Sequence, residues 1–203
     1  GLQNEPTPLS TADKIALIEK LAQCGLQHIE ASSFVHPKII PQLADAEGVL
    51  ERLPLTQNLV SYSALVPNQR GLQRALDSGI KRIAVFTAAS NTFTQHNIGM
   101  SVEQSLQSFK PIVQTALQQG LSVRGYVSTC FTCPYEGNIS PQFVLEVTQR
   151  LLEMGVDEIS LGDTLGAAVP TDIEQTLGCI LQKISPLNIA LHLHNTYGAA
   201  LAN

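Results

Sequence analysis

Two hydrophobic patterns alternate along the chain. Short apolar runs recur, and each is followed by a longer segment whose apolar residues fall at three- and four-residue spacing. The first helical segment, Ser10–Cys24, sets Ile15, Ile18, Leu21 and Ala22 on one face, with Ser10 or Thr11 placed to cap it and Gly25 suited to a left-handed stop. A strand is predicted over Gln27–Ala31, a helix over Pro41–Leu53, a strand over Leu59–Leu65 and a helix over Gln69–Ser78. Arg82–Phe86 is predicted as a strand, Val102–Gln119 as the longest helix, and Leu121–Ser128 as a strand. Pro141–Met154 is predicted as a helix with Ser140 as cap, Pro141 at its first position and Gly155 as stop. Asp157–Leu161, Thr171–Ile184 and Leu187–His194 complete the series as strand, helix and strand.

Strand alternating with helix, without a low-complexity linker, predicts a parallel sheet with helical crossovers. A doubly wound sheet would carry a Gly-rich phosphate loop after an early strand, and the chain has none. A (β/α)₈ TIM barrel has units at this pitch and typically needs about 250 residues. The 203 residues are therefore expected to form a single incomplete TIM-barrel domain over 1–203, covering about six of eight strands. Gly1 is not a Met, and Asn203 falls in what reads as a helix start, so both ends are expected to be cuts through a longer protein.

Composition narrows the function classes. Hydrophobic residues make up 44% and charged ones 14%, which suits a packed core rather than a disordered chain. Twelve Lys and Arg against 17 Asp and Glu leave a net charge of −5 with no basic cluster, which argues against nucleic acid as a partner. No run of about 18 apolar residues exists, so no membrane span is expected. Four cysteines are too sparse for a disulfide framework and suggest reduced thiols. Cys130-Phe131-Thr132-Cys133 has C-x-x-C spacing, but no second pair accompanies it, and two loop thiols are the expected reading.

Polar residues gather at the predicted strand ends, where barrels carry their chemistry. Glu30 lies within His28-Ile29-Glu30-Ala31. Arg124 precedes Tyr126-Val127-Ser128. Asp163 closes Ser160-Leu161-Gly162-Asp163-Thr164, and His192 and His194 lie in the last strand. Side chains alternate along a strand, so the two histidines point to the same face and make a partial site for a divalent cation. A hydrogen-bonded structural pair is the alternative. His28, His36 and His96 have no such partner pattern and are read as solvated or locally bonded.

Gly1-Leu2-Gln3-Asn4-Glu5, Ile29-Glu30 with Ser33-Phe34-Val35, Pro37-Lys38, Arg124-Gly125-Tyr126-Val127-Ser128, Cys133-Pro134-Tyr135-Glu136-Gly137, Glu158 to Thr164, and His192 to Gly198 resemble, in order and spacing, the hydroxymethylglutaryl-CoA lyase family of the DRE-TIM metallolyases. The resemblance implies a carbon–carbon lyase on a (β/α)₈ barrel with a Mg²⁺ or Mn²⁺ cofactor. It would cleave hydroxymethylglutaryl-CoA to acetyl-CoA and acetoacetate, a step of leucine degradation and ketone-body formation. It implies His192 and His194 as metal ligands, with His192 also relaying a proton. Glu30 and Asp163 would be catalytic-site carboxylates that bond the metal waters or orient a ligand His, and Gln3 and Arg124 would be substrate contacts. Lys38 is a candidate for coenzyme A phosphates, against a solvated lysine. The resemblance is compatible with a homodimer, and with a cytoplasmic enzyme if bacterial or a mitochondrial-matrix one if eukaryotic.

The family carries an Arg-Asp pair just before the Gly1 match and a Gly-rich loop with a catalytic Cys beyond the last match. None of Cys24, Cys130, Cys133 or Cys179 lies in that Cys motif, and residues 1–203 alone are expected to be inactive. Asn195 stands where close relatives often have Asp, which removes a charge beside the metal. The rival readings are a Claisen-type synthase of the same superfamily, of isopropylmalate or homocitrate type, and a non-catalytic barrel fragment.

Overall fold

A computed structural model describes residues 1–55 and 60–203. It holds the alternation that the sequence predicts. Parallel strands follow one another in the order β1 (His28–Ser33), β2 (Ser61–Leu65), β3 (Arg82–Ala88), β4 (Ser122–Ser128), β7 (Glu158–Asp163) and β8 (Ile189–Leu193). β5 (Thr132–Cys133) and β6 (Gly137–Asn138) form a separate antiparallel pair. The chain divides into two compact units, one of Gly1–Ala84 with Ala116–Ser122, the other of Val85–Thr115 with Val123–Asn203.

In the first unit, α1 (Thr11–Gln23) begins where the Ser10 hydroxyl accepts the Asp13 N–H at 3.2 Å, and Gly25 follows it at φ +87°. Ile15 and Ile18 are its buried face. The helix predicted over Pro41–Leu53 is broken. A 3₁₀ turn at Pro41–Leu43 precedes a short α2 (Ala46–Leu50). The interruption coincides with a polar junction: Lys14 Nζ donates to the Gln42 carbonyl and to Asp45 Oδ1, and the Thr11 hydroxyl donates to Asp45 Oδ2. β1 and β2 pair in register from His28↔Ser61 to Ser33↔Leu65, with an irregularity between Glu30 and Ser32. The predicted Leu59 start of that second strand lies outside the described residues. α3 (Gln69–Asp77) is capped by Asn68, which accepts the Gly71 N–H at 2.9 Å. Gly71 allows a close approach, since a Cβ there would lie 3.2 Å from the Phe34 carbonyl oxygen.

In the second unit, α4 (Asn91–Ile98) and the β5–β6 hairpin were not foreseen in the sequence. Ser90 caps α4 by accepting the Phe93 N–H, and Gly99 ends it in the left-handed region at φ +69°. Glu136 from the hairpin accepts the Thr92 N–H at 2.7 Å, and Tyr135 stacks on His96 at 4.4 Å between ring centroids. α5 (Val102–Gln118), α6 (Pro141–Glu153) and α7 (Pro170–Ile180) follow the predicted pattern, with α7 ending four residues early. Ser140 precedes α6 as expected, but its side chain makes no capping bond.

Register fixes the faces of the second unit's sheet. β4 pairs with β7 as Arg124↔Glu158 and Tyr126↔Ser160, and β7 with β8 as Ser160↔Ala190 and Gly162↔His192. Laterally paired residues share a face, and the next residue on each strand takes the other. One face therefore carries Arg124, Tyr126, Glu158, Ser160, Gly162 and His192. The other carries Gly125, Val127, Ile159, Leu161 and Asp163. A Cβ on Gly125 would lie 3.3 Å from the Leu151 side chain of α6, so this second face is the one the helix covers. The core follows from it, with Val127, Leu145, Leu151, Ile159 and Leu161 almost wholly buried.

A candidate active site at the strand ends

His192 is on β8 and His194 is the first residue past its end. Their ring centroids lie 5.1 Å apart at an interplanar angle of 62°, as two neighbours on one face of a strand should. Both are exposed, and so available to a ligand. His194 Nδ1 lies 2.9 Å from the Thr164 carbonyl oxygen. A carbonyl only accepts, so Nδ1 carries the proton, and in the neutral ring Nε2 keeps a free lone pair. That is how a metal-binding imidazole is usually oriented. Partial burial holds the His192 pKa below its usual value, and the charges of His194 and Arg124 lower it further. The neutral form, which ligates, is thereby favoured.

Arg124 and Tyr126 share this face. The Arg124 guanidinium sits 5.2 Å over the Tyr126 ring, and its Nη1 pairs with Glu158 Oε1 at 2.9 Å. The edge of Tyr126 meets His192 at 6.3 Å between centroids. Arg124 Nε and Ser160 Oγ are buried without a partner among the described residues. Buried donors without partners are uncommon and mark places where a water or ligand oxygen belongs.

Asp163 faces away from the histidine pair. Its register partner is Leu193, so its side chain lies on the opposite face from His192. It is 1% exposed, and its carboxylate accepts the N–H groups of Gly166 (3.0 Å), Ala167 (3.3 Å) and Ala168 (3.0 Å). This carboxylate holds a loop, and its direction follows from strand alternation, since His192 pairs with Gly162 and the next residue takes the other face. The loop in turn carries the carbonyl that His194 uses.

Glu30 and Gln3 belong to the first unit. Glu30 pairs laterally with Ser63, and Ser63 with Arg82, so all three lie in one row of that unit's sheet. Gln3 is exposed in a 3₁₀ turn, Leu2–Asn4. Lys38 is exposed, and its backbone N–H donates to His36 Nδ1. Cys130 and Cys133 are buried and free. Burial pushes the Cys130 thiol up to about 12, aided by the Asp163 charge, which leaves it inert. Asn195 Oδ1 accepts the Ala200 N–H at 3.2 Å.

Two imidazoles on one face, one with Nδ1 engaged and Nε2 left to ligate, fit two positions in the shell of a divalent cation. Among the described residues no group of three or more His, Cys, Asp or Glu gathers at one point. The sequence reading missed Tyr126, Ser160, Thr164 and Gly166. Tyr126 and Ser160 were within reach of the same period-two argument that found the histidines. The role of a backbone carbonyl, as at Thr164, leaves no mark in a sequence.

The chain belongs to the HMGL-like family, whose model matches residues 1–203. It is 48% identical over 203 residues to the mitochondrial hydroxymethylglutaryl-CoA lyase of Bos taurus, all of this chain aligning with 62% of that protein. The chain thus spans less than two thirds of that relative's length. The crystal structure of the Bacillus subtilis HMG-CoA lyase superposes with a TM-score of 0.96 at 46% identity, covering 100% of this chain and 68% of that one. An HMG-CoA lyase from Acinetobacter baumannii, solved with coenzyme A and 3-methylmalate, matches at a TM-score of 0.93 and 38% identity, covering 100% and 66%. The fold is accordingly that of a partial TIM barrel.

Proposed function

We propose that these residues are the larger part of a hydroxymethylglutaryl-CoA lyase, which cleaves its thioester substrate to acetyl-CoA and acetoacetate. The observation that carries this reading is the His192–His194 pair, with the His194 Nδ1 held by the Thr164 carbonyl and the Tyr126 ring edge meeting His192, in a chain aligned along its whole length with lyases so named. The same alignment favours the lyase over the Claisen-type synthase reading.

His192 and His194 would hold Mg²⁺ or Mn²⁺, which as a Lewis acid lowers the pKa of the substrate's tertiary hydroxyl. The remaining steps belong to the protein. His192 would serve one role at a time: with its lone pair on the cation it is a ligand, and with that lone pair free it accepts the hydroxyl proton as the carbon–carbon bond breaks to give acetoacetate and the acetyl-CoA enolate, which an acid of the complete protein then protonates. Arg124, steadied by Glu158 and Tyr126, would present its guanidinium to a substrate oxygen. Asp163 acts by holding the loop that orients His194 rather than by touching substrate. For Glu30, Gln3 and Lys38, and for a homodimer, the proposal rests on the family motifs alone. Residues 1–203 are proposed to be one incomplete barrel domain. No described helix is long and apolar enough to cross a membrane. A bacterial protein would work in the cytoplasm and a eukaryotic one in the mitochondrial matrix.

The test is a direct competition on the complete protein. Incubation with hydroxymethylglutaryl-CoA should release acetoacetate, while 2-oxo acids with acetyl-CoA should give no condensation product. Condensation without cleavage would replace the lyase by the synthase.

A further inference from the structure

We propose that Thr164 and Gly166 are positioning residues for His194: the first fixes which ring nitrogen is bare, the second fixes the path of the backbone that carries the ring. The proposal rests on the metal-ligand reading of His194 and names what enforces it.

Three contacts converge on the loop after β7. The Thr164 carbonyl accepts from His194 Nδ1 at 2.9 Å. The hydroxyl of the same residue accepts the Thr129 N–H at 2.8 Å. Thr129 has φ +53°, the one non-glycine residue with positive φ among those described, so this bond sits at an uncommon backbone conformation. Thr164 is thereby anchored on one side to the strand-end loop of β4 and on the other to His194. Gly166 then lies against the segment just beyond the ring. A Cβ there would fall 2.7 Å from the His194 carbonyl oxygen, 2.8 Å from the Thr196 nitrogen and 2.6 Å from Thr196 Oγ1, while φ is +66°. Two of these three atoms are backbone, so no side-chain rotation relieves the overlap. Any side chain at residue 166 must push the His194–Thr196 segment away. From beneath, the Asp163 carboxylate clamps the loop through three N–H groups. The loop therefore acts as a rigid template for one imidazole. Were it free to move, the ring could turn and present the other nitrogen.

The experiment reads the ring directly. Long-range ¹⁵N–¹H spectra of the metal-free complete protein, at a pH where the imidazole is neutral, report which His194 nitrogen bears the proton. Titration with Mn²⁺ alone reports affinity. Wild type should show Nδ1 protonated. Gly166→Ala should mix the tautomers and weaken Mn²⁺ by tenfold or more, the scale found when groups supporting a ligand are lost. Gly120→Ala is the control: Gly120 has φ +74° with nothing within 4 Å of its Cβ position, so it carries the strain without the collision and should change neither readout. Thr164→Val removes the anchoring hydroxyl at nearly constant volume and should behave like Gly166→Ala, whereas Thr164→Ser should restore wild-type behaviour. This pair decides the matter if Gly166→Ala does not fold. An Nε2-protonated ring in wild type, or an unchanged tautomer and Mn²⁺ affinity in folded Gly166→Ala or Thr164→Val, would overturn the proposal. No substrate is involved, so the result is independent of which reaction the protein catalyses.

Discussion

His192 and His194 are two residues apart yet are held by different means. The first is tuned by burial and neighbouring positive charge, the second by one hydrogen bond to a main-chain oxygen. Removing the second ring should cost metal affinity outright: His194→Ala in the complete protein is expected to weaken Mn²⁺ binding by at least about tenfold, measured by calorimetric titration. Unaltered affinity would return the pair to a structural role. Asp163→Asn tests a different claim. The amide keeps the carboxylate's shape but loses its charge and turns an NH₂ group toward one or more of the three N–H donors it faced. With buried donors left unpaired, a stability loss of about 1–3 kcal/mol is expected in denaturant unfolding. Turnover per folded molecule should also fall, through His194. At this scale the histidine pair was legible because strand side chains repeat every two residues. The direction of Asp163 was legible by the same rule. Its partners were not, because they are backbone N–H groups of a loop whose course no residue pattern encodes.

Among the elements, the junction of α1 with α2 carries a titratable link. Burial raises the Asp45 carboxyl, but the hydrogen bonds from Lys14 and Thr11 and the Lys14 charge outweigh it, and the pKa lies below the model-compound value of 3.8. Folding then favours the ionised form, so the stabilisation is complete above about that value and is lost as pH falls through the lower, folded-state one. Thermal stability measured down an acid series should therefore fall less steeply in Asp45→Asn than in wild type. Parallel slopes would show that the pair contributes nothing. Most elements were legible from apolar spacing and caps, as with Ser10 before α1 and Asn68 before α3. The exceptions have a common cause. α4 buries only Thr94, so it shows no apolar stripe, and it is held by Ser90, Gly99 and the hairpin's Glu136. α2 is cut short where Asp45 turns to Lys14 and Thr11. Both are settled by tertiary contacts, which override local pattern.

For the molecule as a whole, the βα repeat pointed to the fold and the polar strand ends to a candidate site, because in this architecture chemistry collects where strands run into loops. A net charge of −5 does not oppose the proposed polyanionic thioester substrate, since recognition is local. What unites the scales is a claim that carbon–carbon cleavage depends on a cation held at His192 and His194. The most direct measurement is acetoacetate release from hydroxymethylglutaryl-CoA by the complete protein, before chelation, after removal of divalent ions, and after Mn²⁺ is returned. The account expects release, then its loss, then its recovery, with no recovery in His194→Ala at the same Mn²⁺ concentration. Release that persists through chelation, or that His194→Ala recovers as fully as wild type, would contradict it.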